Sequence, residues 1–103
     1  MTAKEFILSI PERVNPTALA GVDTCFHFKI GGSGDYTIVA KDGTITTEEG
    51  LVGEAKCVVS CEEQLLADIA AGKANPQMAV FSGKLKISNL GEMLKYAKMF
   101  GMM

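Results

Sequence analysis

The run TCFHFKIGGSGDYTIVAKDGTITTE, residues 24–48, decides the fold. Phe26, Phe28 and Ile30 alternate with Cys25, His27 and Lys29, and Tyr36, Ile38 and Ala40 alternate with Thr37, Val39 and Lys41. Successive side chains of an extended chain point to opposite faces, so a period of two predicts half-buried strands with the aromatics turned to a core. Gly31-Gly32-Ser33-Gly34 and Asp42-Gly43 separate the runs. Both are turn sequences that tolerate the positive φ angles of tight hairpins. A third strand then runs from about Thr44 to Glu48.

Beyond this block, a loop with Gly50 and Gly53 leads to a fourth strand, Ala55 to Ser60, with Ala55, Cys57 and Val59 facing inward. Ser60 and Glu63 have the spacing of a capping box and predict a helix from Cys61 to Ala71, stopped by Gly72. Its inward residues are Leu65, Leu66 and Ile69. Asn75-Pro76 opens another helix carrying Met78, Ala79 and Phe81, ended by Ser82-Gly83. Leu85 and Ile87 mark a fifth strand, and Asn89 with Glu92 caps a last helix from about Leu90 to Phe100. Before the block, Thr2 with Glu5 caps a helix from Ala3 to about Ile10 that Pro11 ends, and Asn15-Pro16 begins a short helical turn closed by Gly21. The expected class is α+β: a five-stranded, mostly antiparallel sheet with helices covering one face and the other face wet. Four strands should form an antiparallel meander, and the fifth should lie parallel to a neighbour after its helical crossover.

The chain has 103 residues, which suits one domain spanning 1–103. Hydrophobic residues make up 48%, and the mean hydropathy is +0.20, high for a chain with a single small core. The net charge is −2, and the ten basic residues are scattered, which argues against nucleic acid as a partner. Lys84 with Lys86 and Lys95 with Lys98 read as solvated faces, leaving only a transient contact with an anionic membrane surface. Three cysteines, Cys25, Cys57 and Cys61, without a signal peptide or an apolar run of spanning length, predict a reducing, cytoplasmic setting.

The reactive residue types do not assemble. Cys57 and Cys61 lie four apart across a predicted strand–helix boundary, with one histidine in the chain, whereas a structural zinc site wants four ligands. No metal and no cofactor is expected. Cys25 and His27 share a strand face, but that face should lie against water with no cleft and no orienting group, so no catalytic residue is assigned. Gly31 to Gly34 joins two strands and lacks the Gly-Lys-Ser/Thr ending of a phosphate loop. The last helix says more. Leu90, Met93, Leu94, Tyr96, Ala97, Met99 and Phe100 leave only Gly91, Glu92, Lys95 and Lys98 for water, a stripe wider than docking on one sheet requires. Its methionines suit an adaptable apolar surface.

Residues 72–87, Gly72-Lys73-Ala74-Asn75-Pro76-Gln77-Met78-Ala79-Val80-Phe81-Ser82-Gly83-Lys84-Leu85-Lys86-Ile87, resemble the sterol carrier protein type 2 family, whose pattern is Gly-Lys-x-Asn-Pro, an apolar half-turn and Gly-Lys-Leu-Lys-Ile. Phe26 to Ile30, Tyr36 to Ile38 and Ala55 to Val59 are similar to its strands. The resemblance implies an apolar tunnel between sheet and helices that holds a fatty acid, acyl-CoA, sterol or isoprenoid-type lipid without catalysis. The chain differs in having no fused enzyme, no tryptophan and no peroxisomal tail, which points to a stand-alone member of bacterial or archaeal type.

The expected tunnel lining is Phe26, Phe28 and Ile38 from the strands, and Leu65, Leu66 and Ile69 from the helix after strand four. Met78 and Phe81 join them from the next helix, and Met93, Leu94, Ala97 and Phe100 from the last. Gln77 is the candidate contact for a polar head group. The expected state is a monomer or weak homodimer. The competing reading is an accessory module whose last helix docks onto an enzyme or its own copy.

Overall fold

The computed structural model describes residues 2–96 and 99. Helices and strands follow in the order α1 (Ala3–Arg13), a 3-10 turn (Pro16–Leu19), β1 (Thr24–Gly31), β2 (Gly34–Lys41), β3 (Thr44–Glu49), β4 (Cys57–Glu62), α2 (Glu63–Ala70), α3 (Pro76–Phe81), β5 (Lys86–Ile87) and α4 (Leu90–Tyr96). The strands form one five-stranded sheet in the order β3-β2-β1-β4-β5.

Local chemistry explains the two hairpins. Asp42 and Gly43 take φ angles of 54° and 78°, so both central residues of the β2–β3 turn are left-handed, as a type I′ hairpin requires. At the β1–β2 turn, Ser33 N donates to Ile30 O, and the Tyr36 hydroxyl donates to Ser33 O at 3.0 Å.

The sheet departs from the expected meander at β4. This strand pairs parallel to β1, Phe26 opposite Cys57, and β5 pairs antiparallel to β4. The parallel and antiparallel assignments of the last two strands are thus the reverse of those expected. Residues 50–56 make the crossover as a strap over the sheet face turned away from the helices. Gly50 N donates to Asp35 O at 2.7 Å. Thr37 Oγ1 donates to Gly50 O at 2.7 Å and accepts from Val52 N at 2.9 Å. Lys56 N then donates to Cys25 O at 2.8 Å. A parallel crossover usually contains a helix that satisfies its own backbone. Here side chains and strand carbonyls satisfy an extended one, which leaves no periodic signal in the sequence.

Two helix boundaries also move. α1 continues through Pro11 to Arg13. Proline has no N–H to give the carbonyl four residues back, which is Ile7. Thr47 Oγ1, from β3, donates to Ile7 O at 3.3 Å instead. At the other boundary β4 runs on to Glu62, because Cys61 pairs with Ile30 and is buried. The Ser60–Glu63 capping box does not form, and α2 starts at Glu63 with no side-chain cap. Its end is as expected: Gly72, φ 76°, donates to Ile69 O, and Lys73 N donates to Asp68 O, a Schellman ending.

One core lies between the sheet and the helices. Phe6, Ile7 and Ile10 of α1, Phe26 and Phe28 of β1, Ile38 of β2 and Leu66 of α2 are fully buried in it. Phe26 and Phe28 stack with centroids 6.3 Å apart, and the Arg13 guanidinium sits 4.5 Å over the Phe6 ring.

Candidate functional site

The last two helices frame the candidate site. α3 has six residues, and both its ends are pinned. Asn75 Oδ1 accepts from Gln77 N at 2.8 Å, and Gly83, φ 78°, donates to Val80 O. Ala79 is the buried residue of this helix. Met78 and Phe81, one turn apart on one face, are 65% and 88% exposed. α4 is capped by Asn89, whose Oδ1 accepts from Glu92 N at 3.1 Å. Met93 is buried, whereas Leu90 and Leu94 are 48% and 57% exposed. Tyr96 packs edge-on against Phe26, centroids 6.3 Å apart and planes at 82°.

The expected lining residues thus fall into two groups. Phe26, Phe28, Ile38, Leu66, Ile69 and Met93 are buried in the space between sheet and helices, and Leu65 is half-buried beside them. Met78, Phe81 and Leu94 stand on the surface of α3 and α4. Gln77 is exposed too, its backbone N–H held by Asn75. Ala97 and Phe100 lie outside the described residues.

Sequence reasoning missed two contacts that place α4. Glu92, expected on the wet face, carries a side chain only 11% exposed, and its Oε2 accepts from Thr24 Oγ1 at 2.6 Å. Tyr96 reaches Phe26, as above. The Asn-x-x-Glu spacing could place Glu92 in the first turn of α4, but nothing local to it points to Thr24.

Cys25 and His27 are not on an open wet face. The strap covers them: both are half-buried, and both meet the Val52 carbonyl, His27 Nε2 at 3.0 Å and Cys25 Sγ at 3.9 Å. Burial pushes the Cys25 thiol above its ordinary range, which holds it neutral rather than nucleophilic. Cys57 and Cys61 are free thiols buried on the inner face. Among the described residues, no group of three His, Cys, Asp or Glu is placed to hold a metal ion. Among them, too, no helix is long and apolar enough to cross a membrane.

Phe26 is thus buried beneath α4, while α3 and α4 leave Met78, Phe81, Leu90 and Leu94 uncovered. The sequence profile of the SCP-2 sterol transfer family matches residues 4–101. The chain belongs to this family. No curated protein matches its sequence. Among solved structures, this SCP-2 chain is similar to a sterol carrier protein domain 2 of Helicoverpa armigera, at TM-score 0.75 and 24% identity, covering 93% of this chain and 80% of that one. It is similar to a palmitated SCP2L2 from Aedes aegypti at TM-score 0.78 and 17% identity, covering 97% and 95%. A third is the inverting sec-alkylsulfatase Pisa1 from Pseudomonas sp., at TM-score 0.79 and 22% identity. All of the SCP-2 chain is covered there, but it spans only 16% of the sulfatase. At these identities the likeness is one of fold.

Proposed function

We propose that this protein is a non-catalytic carrier that takes up one apolar, lipid-like molecule between its sheet and its last two helices. The observation that carries the reading is the SCP-2 sterol transfer match over residues 4–101, on a fold that leaves Met78, Phe81, Leu90 and Leu94 uncovered. The ligand class is a fatty acid, acyl-CoA, sterol or isoprenoid chain. Each Å² of apolar surface removed from water contributes about 25 cal/mol, without directional demands, so broad specificity follows. In this reading α4 is the lid. Met93 and Tyr96 seat it on the core, and the ligand enters where Tyr96 lifts from Phe26, with Phe81 and Leu94 folding over it. Gln77 meets the head group at the mouth. The protein works as a monomer or weak homodimer in the cytoplasm, touching membranes only in transit.

Titration with a pyrene-labelled fatty alcohol tests this. Saturation at about one ligand per chain is expected of a single concave apolar site. Phe81→Asp and Leu94→Asp should each weaken uptake by about tenfold or more, because a carboxylate at the lining loses its hydration. Both side chains are exposed in the unliganded chain, so Tm should stay within a few degrees of the parent. Unsaturable, detergent-like uptake overturns the reading. The same exposed faces could instead seat a second copy or an enzyme. In that case the substitutions dissolve an oligomer seen by native mass spectrometry and leave uptake untouched.

A further inference from the structure

An open cleft of about 580 Å³ has a polar half, formed by Lys29, Ser60, Glu62, Lys84 and Lys86, and an apolar half. Strand register explains its polar half. Lys29 pairs with Ser60 across β1 and β4, and Ser60 pairs with Lys86 across β4 and β5. The three therefore form one row over adjacent strands spaced about 4.8 Å apart, with their side chains on one face. Their neighbours Phe28, Cys61 and Ile87 belong to the opposite, core-facing set. The row is a hydroxyl between two ammonium groups, and Lys84 adds a third. Among the described residues none of these lysines is paired with a carboxylate within 4.0 Å, the ion pairs there being Lys4–Glu49 and Lys95–Glu92.

The apolar half has a different origin. β5 is only two residues long and covers β4 only at Val59 and Ser60. Cys61 and Glu62 extend past it, so the cleft turns around the sheet edge onto Cys61, Leu65 and Gly83. The Glu62 carboxylate rests over Gly31, where a Cβ would come to 2.6 Å from it and turn that side chain aside. Among the described residues Glu62 is the sole carboxylate in the lining.

We infer that this cleft binds a phosphate monoester carrying an apolar group, the phosphate on Lys29, Ser60, Lys84 and Lys86 and the apolar group along Leu65 and Cys61. Three ammonium groups against one carboxylate leave two positive charges, which match a phosphate monoester of charge about −1.5 to −2 near neutral pH. The volume is that of a small-molecule site. Ammonium–phosphate and hydroxyl–phosphate hydrogen bonds are charge-assisted, and no side chain need move out of a filled core to make them. The cleft shares no residue with the exposed faces of α3 and α4, and Leu65 is the one residue it has in common with the expected lipid lining.

Amide chemical shifts of the full chain, titrated with octyl phosphate below its micelle concentration, test it. Saturable shifts are expected at Lys29, Ser60 and Lys86, with weaker binding of inorganic phosphate and none of octyl glucoside. The double variant Lys29→Gln/Lys86→Gln should weaken octyl phosphate by about tenfold or more, and Ser60→Ala by severalfold. Neither should change uptake of the neutral pyrene-labelled alcohol, whereas Phe81→Asp should change that uptake alone. Equal binding of octyl glucoside, or undiminished binding in the double variant, overturns the phosphate site. Inorganic phosphate binding as tightly as octyl phosphate overturns the apolar half.

Discussion

A single carbonyl shows how one residue's chemistry is answered at a distance. Pro11 leaves Ile7 O without its helical donor, and Thr47 Oγ1 supplies one. Thr47→Val should therefore destabilise the fold by about 1 kcal/mol. Pro11→Ala restores the N–H, so the loss from Thr47→Val should shrink in the Pro11→Ala background. Denaturant midpoints of the four species of this double-mutant cycle measure the coupling, and additive effects would mean the bond contributes nothing. Cys61 supplies a pH-dependent counterpart. Burial, with the Glu62 charge adding to it, pushes its thiol up to about 11. The unfolded thiol ionises near 8.5. Between these values the unfolded state has lost the proton and the folded state keeps it, so stability is intact below about pH 8.5 and falls as pH rises toward 11. Cys61→Ala should flatten that alkaline fall, as read from urea midpoints at pH 8 and pH 10.5.

At the scale of elements, the strap and α4 make contrasting predictions. Thr37 is fully buried and makes two of the strap contacts, so Thr37→Val should cost about 2 kcal/mol and speed hydrogen exchange at the Val52 amide. An unchanged Val52 exchange rate would mean the strap is held by its other bonds. On α4, Met93 is 3% exposed and Leu94 57%, so Met93→Asp should unfold or strongly destabilise the chain while Leu94→Asp leaves its Tm close to the parent's. The same contrast shows what the sequence made legible. Both hairpins, the caps at Thr2, Asn75 and Asn89, and the inward faces of β1 and β2 are written in residues close in sequence, such as Asp42-Gly43 or the alternation around Phe26, and those readings hold, whereas the Ser60–Glu63 cap gives way to the pairing of Cys61 with Ile30. The parallel place of β4, the continuation of α1 and the seat of Glu92 depend on Asp35 and Thr37, on Thr47, and on Thr24, each far along the chain from its partner. Burial was legible in the same uneven way. Alternation separates Phe26 from His27, but Phe81 and Leu66 are both large apolar residues on helices. Only the packing tells the one that is 88% exposed from the one that is fully buried.

For the whole molecule, the single core requires that α1, the sheet and α2 be lost together. Leu66 is in the middle of it, and Leu66→Ala should cost about 2–5 kcal/mol through the cavity it leaves. For a chain of this size that corresponds to a fall in Tm of more than about 10 °C, in one transition followed equally by circular dichroism and Tyr fluorescence. Two separate transitions would show that the α1 layer is an independent unit. The crossover of residues 50–56 also has a consequence for synthesis on the ribosome. β1 can pair with β2 as soon as both have emerged, yet its other edge stays unclaimed until Cys57–Glu62 has been translated. During that interval the nascent chain presents an open strand edge next to Phe26 and Phe28, a template for pairing with other chains. The strap delivers β4 to that edge, so the segment that determines the topology also closes the interval in which the half-made protein is most prone to aggregate.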